Sequence, residues 1–132
     1  MTLGGVSALD VVDETFLAAP PAAVAARMAG ERRWRDWWPD LRLTVVHDRG
    51  PQGVRWTVAG ALRGTMEIWL EPVLDGTVLH LFLRSELPDG ADVGAEVGRR
   101  RRQAKAVAFE LKADLEAGRA AGEPPVPTPA PA

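Results

Sequence analysis

Cysteine, tyrosine and asparagine are all absent from this chain of 132 residues, and histidine occurs only twice. Without cysteine the protein forms neither disulfides nor thiolate metal sites. The two histidines, His47 and His80, have no neighbours at a spacing typical of metal ligands, so we predict no metal site and no cofactor. No apolar run is long enough to cross a bilayer, and the first residues lack the basic and apolar parts of a secretory signal. We therefore predict a cytoplasmic protein without a transmembrane segment.

Positively and negatively charged residues are nearly balanced. The formal net charge is −2, which gives no reason to expect a nucleic-acid partner. The hydrophobic share of 46% is ordinary for a globular protein, and the length suits one domain. Arginine, alanine, glycine and proline abound, as in the GC-rich genomes of actinobacteria. We divide the chain into an N-terminal extension (1–7), a folded domain (8–118) and a flexible tail rich in proline and alanine (119–132).

Hydrophobic patterns predict an α+β domain. Segments rich in β-branched or alternating residues predict five strands, at 8–17, 41–48, 54–59, 62–72 and 77–87. Two short helices are expected after the first strand, at 22–29 and 31–38, and one long helix at 91–117. An apolar stripe along the long helix predicts that it packs against the sheet.

The last two strands predict a hairpin, because Asp75-Gly76 is a typical two-residue loop. In that register, Glu71 lies opposite His80, Trp69 opposite Phe82, and Glu67 opposite Arg84. These polar and aromatic pairs occupy one face of the hairpin. The other face is aliphatic, and we expect it to lie under the long helix.

Three motifs add a family resemblance. They are Ala18–Val24 at the entry to the first helix, the tryptophan-rich turn Trp34–Pro39, and the glycine-proline pattern of the hairpin at Gly64–Thr77. In these motifs and in element order, the chain resembles the START-like (SRPBCC) superfamily of polyketide cyclases and lipid-transport proteins. The resemblance implies the helix-grip fold: an antiparallel sheet of about five to six strands wrapped on a long C-terminal helix, with two short helices after the first strand.

The same resemblance implies a ligand pocket between the sheet and the C-terminal helix. Arg100 lies within the apolar stripe of that helix, where it either binds a ligand carboxylate or extends its charged end to solvent. The predicted cavity residues are Trp38, Trp56, Met66, Ile68, Leu81, Leu83, Arg100, Ala104, Val107 and Leu111.

Other polar and aromatic residues favour surface roles. Around a helix, the run Arg99–Arg102 points in four directions, which favours a solvated surface over a nucleic-acid site. The pair of His80 and Glu71 resembles an acid–base pair but is also an ordinary cross-strand charge pair, and we predict no catalytic residue. Exposed aromatics are typical of protein interfaces. The candidates are Trp69, Phe82 and Phe109.

Two functional hypotheses stay open. The first is a small START-like protein that binds a hydrophobic or aromatic molecule, lipid-like or polyketide-like. Its enzymatic version would be a cyclase or aromatase. The second is an accessory module with a closed pocket, which binds a protein partner or a second copy of itself through the exposed sheet face or the proline-rich tail.

Overall fold

The computed structural model describes residues 7–117, and these form one antiparallel sheet flanked by helices. The strands are β1 (Ser7–Leu17), β2 (Leu41–Asp48), β3 (Gly53–Gly60), β4 (Arg63–Val73) and β5 (Gly76–Leu87). The helices are α1 (Pro21–Met28), α2 (Glu31–Trp37) and α3 (Val93–Leu115), with a 3₁₀ turn at Gly50–Gln52. The strand order β1-β5-β4-β3-β2 confirms the predicted α+β class. The predicted tail at 119–132 lies outside the described residues.

Helix α3 closes one edge of the sheet by lying along β1. The outward-facing backbone groups of an edge strand need partners, and here side chains of α3 supply them. The amino groups of Lys105 and Lys112 donate to the carbonyl oxygens of Glu14 (3.0 Å) and Phe16 (3.2 Å), and the carboxylate of Glu116 accepts from the backbone N–H of Ala18 (3.0 Å). The C-terminal part of the β1 edge is therefore covered by side chains of the long helix and its C-cap.

The β4–β5 hairpin has a different register from the predicted one. Val73 pairs with Gly76, so the two loop residues are Leu74 and Asp75. His80 consequently lies opposite Trp69 rather than Glu71. The predicted pairs of Trp69 with Phe82 and of Glu67 with Arg84 are wrong for the same reason, since the partners of Phe82 and Arg84 are Glu67 and Thr65. The shift is two residues, so each side chain keeps its predicted face.

Gly76 explains the shift. It is a strand residue, and a side chain on it would clash with the carbonyl oxygen of Leu17 and the ring of Phe16. The glycine is thus needed where β5 meets β1, while the loop conformation with positive φ (54°) is adopted by Leu74. Close approach of two strands, rather than turn geometry, accounts for this glycine.

The aliphatic face of the sheet forms the core, as predicted. Met66, Ile68 and Leu70 of β4 pack there with Leu79, Leu81 and Leu83 of β5, and all six are buried. The buried part of α3 is shorter than the predicted stripe, because Val93 at its first turn is exposed. No helix within residues 7–117 is long and apolar enough to cross a membrane.

Candidate functional site

The ten predicted cavity residues all lie in the interior, each at most 3% exposed. Nine of them belong to one continuous hydrophobic cluster that joins the sheet, α3 and the tryptophan-rich turn. The tenth is Arg100. The structure therefore brings the predicted set together as buried side chains of the core.

Arg100 is buried and fully paired within the protein. Its guanidinium makes two hydrogen bonds with the carboxylate of Asp40, at 2.7 and 3.1 Å. It also donates to Glu96 (3.0 Å) and Gln103 (2.9 Å). Only 2% of Arg100 is exposed, so it does not extend to solvent as one alternative predicted. Its bidentate bond with Asp40 fixes the turn between α2 and β2 to the long helix.

The charge state of Asp40 reflects this contact. Arg99 also donates a hydrogen bond to the carboxylate of Asp40, at 2.9 Å. The hydrogen bond from Arg100, together with that from Arg99, lowers the pKa of Asp40 from 3.8 to about 2. The carboxylate is thus ionised over the whole physiological range, which keeps the buried guanidinium compensated.

An apolar cleft opens on the same sheet face as the core, but at the β2 side and away from α3. Its volume is about 150 Å³, close to what a single aromatic ring fills. The cleft lies between the two short helices and the three strands β2, β3 and β4. Its apolar lining consists of Ala25, Met28, Ala29, Trp34, Val45, Val54 and Leu70. One charged residue, Asp48, also lines the cleft.

Trp34 forms the wall between this cleft and the interior. Its indole N–H donates to the carbonyl oxygen of Met28 at 2.8 Å, which ties α2 to the end of α1. Its ring meets the ring of Trp56 edge-on, with centroids 5.2 Å apart, and Trp56 in turn meets Trp38 at 5.9 Å. Three tryptophans therefore connect the cleft to the predicted cavity residues.

The opposite face of the sheet carries an aromatic stack. The ring of His80 lies parallel to Trp69 at 4.3 Å and parallel to Phe82 at 6.1 Å. Both of its ring nitrogens face carboxylates, Nε2 at 2.9 Å from Glu71 and Nδ1 at 3.3 Å from Glu14. These contacts join the three strands β1, β4 and β5 on the outer face of the sheet.

The remaining charged residues are paired mostly in ways the sequence did not predict. Glu67 binds Arg49 and Arg55, whereas Arg84 lies near Asp10 at 3.7 Å. In α3, Arg99 and Arg100 converge on Asp40, so the arginine run is divided between a buried contact and an exposed surface. Among the described residues, no cluster of histidine and carboxylates could hold a metal ion.

Two of the partner-surface candidates, Trp69 and Phe82, are 38% and 36% exposed. The third, Phe109, is 56% exposed on the outer side of α3, with the amino group of Lys105 6.0 Å from its ring centre. The three aromatics therefore occupy two separate surfaces.

Comparison with known proteins gives structural relatives only. No protein-family model matches the sequence, and no curated protein is significantly similar to it. The Aha1 dimer from Colwellia psychrerythraea superposes with a TM-score of 0.61 at 15% identity, over 85% of this chain and 99% of that one. The Mll3558 protein from Rhizobium loti has the same TM-score at 16% identity, over 80% and 98% of the two chains.

A third structure, DynU16 of the dynemicin biosynthetic locus, matches with a TM-score of 0.59 at 18% identity. The match covers 83% of this chain and 48% of that one. The chain has the helix-grip fold. Identities this low establish the helix-grip architecture alone, with five strands, two short helices after the first strand and the long C-terminal helix.

Sequence reasoning missed the cleft within this helix-grip fold. Met28 and Trp34 carried the relevant signal, since both are large apolar residues on two short helices that are separated only by Ala29 and Gly30. Their positions relative to Val54 and Leu70 depend on contacts far apart in the chain, which periodicity does not report.

Proposed function

We propose that this protein binds a small hydrophobic or aromatic molecule and has no catalytic group of its own. The observation that carries the proposal is the apolar cleft beside Trp34, on the ligand-facing side of a helix-grip sheet. Most ligand pockets are concave, largely apolar and of about 300–1,000 Å³. The cleft is smaller than this range. The ligand is therefore either a single ring, or a larger molecule whose inner part displaces the side chain of Trp34 from the wall of the cleft.

The location of DynU16 in a biosynthetic locus supports a polyketide-like ligand over a membrane lipid. A long acyl chain would need a continuous tunnel, whereas the interior beneath α3 is filled by buried side chains. A compact ring system fits the cleft better, because aromatic walls favour stacked and edge-on contacts with a flat ligand.

Filling the cleft should abolish binding. Ala25→Phe places a ring in the cleft, and we expect it to lower the affinity for naphthalene by about tenfold or more, because the volume is no longer free. The affinity is measured by calorimetric titration, with the methyl signal of Met28 followed by NMR. Ala26→Phe, on the exposed side of the same helix, is the matched control and should bind as the wild type does. Equal binding by the two variants would place the ligand elsewhere.

A second function is favoured by the outer face of the sheet, where Val12 (48% exposed) lies opposite the partly exposed Phe82 and on the same face as Trp69. This face also carries both charge signs, since Asp10 and Arg84 lie side by side on it. A surface with apolar residues and mixed charges suits pairing with a second copy of itself across a two-fold axis. One structural relative is described as a dimer, which supports this candidate.

Self-association is tested by sedimentation equilibrium over a range of protein concentrations. We expect Phe82→Ser to weaken the dimer by about tenfold or more, since buried aromatic anchors dominate interface energies. Phe109→Ser, on the separate surface of α3, should leave the dimer unchanged. A wild-type protein that stays monomeric at high concentration would rule out this candidate and leave the ligand proposal intact.

A further inference from the structure

The side chain of Trp56 has an unusual property for a buried residue. It is fully buried, and within the described part of the chain its indole N–H has no hydrogen-bond acceptor. About nine-tenths or more of buried polar groups in folded proteins are paired, since an unpaired donor is destabilising. Arg49 also has a buried nitrogen without a hydrogen-bond partner, but another nitrogen of its guanidinium bonds to Glu67. The indole of Trp56 has no second polar atom that could form a hydrogen bond instead.

Trp56 is separated from the cleft by a single ring. It lies on the inner face of β3, two residues from Val54, which lines the cleft. Trp34 stands between them, with its ring edge-on to Trp56. Only one hydrogen bond, to the carbonyl oxygen of Met28, is found for the indole of Trp34.

Trp34 is only partly buried, at the boundary between the core and the cleft. It lies only four residues after Gly30, which joins α1 to α2 with a φ of 110° and has no neighbouring atom within 4 Å of where a side chain would begin. Rotation of Trp34 about its side-chain bonds would break its bond to Met28 and connect the cleft with the ring of Trp56. The combined space would then accept a molecule of more than one ring.

We propose that the ligand of this cleft is a neutral ring compound bearing a carbonyl or ether oxygen, and that this oxygen accepts the hydrogen bond of Trp56. The inference rests on the proposed function and names the ligand class. A neutral acceptor fits because Trp56 belongs to the hydrophobic core, where an anion would be uncompensated, and because Asp48 in the cleft would repel an anion. Trp34 is the positioning residue that turns aside as the oxygen enters.

The test uses two probes of nearly equal shape, 2-acetylnaphthalene and 2-ethylnaphthalene, which differ by one carbonyl oxygen. We expect the full-length wild-type protein to bind the ketone about fivefold to tenfold more tightly, the size of one net hydrogen bond. Trp56→Phe removes the donor but keeps a ring, and should reduce this ratio to about one. Trp69→Phe makes the same change on the opposite face of the sheet and should preserve the ratio.

The outcomes separate the two proposals. Equal affinity of the wild type for both probes, or a ketone preference that survives in Trp56→Phe, overturns the inference while the proposed function stands. If neither of these probes nor the single-ring hydrocarbon toluene binds, the proposed function and the inference are overturned together; if toluene alone binds, only the inference is overturned. Should Trp56→Phe not fold, NMR of the wild type decides: the indole proton of Trp56 must move downfield with the ketone and not with the hydrocarbon.

Discussion

Replacing Asp40 by alanine is expected to destabilise the protein by about 3 kcal/mol or more, because the guanidinium of Arg100 would remain buried without its main partner. Unfolding by urea, followed by tryptophan fluorescence, measures the loss. Arg100→Met should cost far less, since an apolar side chain of similar length suits the buried stripe and Asp40 is partly exposed to water. The double variant should recover most of the stability that Asp40→Ala loses.

The effect of pH checks the same contact. The pKa of Asp40 is about 2 in the folded protein and 3.8 without its neighbours. Because the folded-state value is the lower one, the stabilisation is complete above pH 4 and is lost as the pH falls towards 2. The stability difference between wild type and Asp40→Ala should therefore shrink over that interval. A constant difference, or a loss below about 1 kcal/mol at neutral pH, would show that Arg100 does not depend on Asp40.

Gly53→Ala is expected to be the second strongly destabilising change, by about 3 kcal/mol or more. Gly53 has a φ of 124°, and a side chain there would collide with the backbone carbonyl of Ile68 on the neighbouring strand. Backbone atoms cannot move aside as a flexible side chain can, so β3 and β4 would have to separate locally. The loss is measured as the change in the urea midpoint at constant slope.

Gly50→Ala is the matched control, at the other end of the same 3₁₀ turn. Gly50 also has a positive φ, 58°, but nothing lies within 4 Å of where a side chain would begin. We expect a loss of only about 1 kcal/mol, the cost of the left-handed conformation alone. Equal losses in the two variants would mean that backbone conformation, and not the close strand contact, governs both positions.

The hairpin shows what sequence patterns report reliably and what they do not. Alternation of side chains placed Ile68 and Leu81 on the buried face and Trp69 and Phe82 on the outer face, and the structure agrees. The cross-strand pairs were wrong because the loop was assigned to Asp75-Gly76, whereas the glycine serves the contact with β1. A two-residue shift leaves every side chain on the same face of the sheet. The face of each residue is therefore predictable even where its cross-strand partner is not.

Arg100 and the cleft show the limit for sites. The helical pattern placed Arg100 within the apolar stripe, and it is indeed buried. Its partner, Asp40, lies sixty positions earlier in the chain, and no local pattern connects the two. The cleft is likewise formed by segments that are distant in sequence. The hydrophobic periodicity of one segment does not predict its contacts with the others.

The two ends of the sheet differ in a way that bears on assembly. In the second half of β1, the carbonyl oxygens of Glu14 and Phe16 are occupied by Lys105 and Lys112, whereas β2 at the other end has no strand beyond it in the described structure. Growth of a fibril by strand addition needs two receptive edges in each copy. The lysine contacts make β1 the less receptive edge, so they favour pairing of two copies through β2 over open-ended polymerisation.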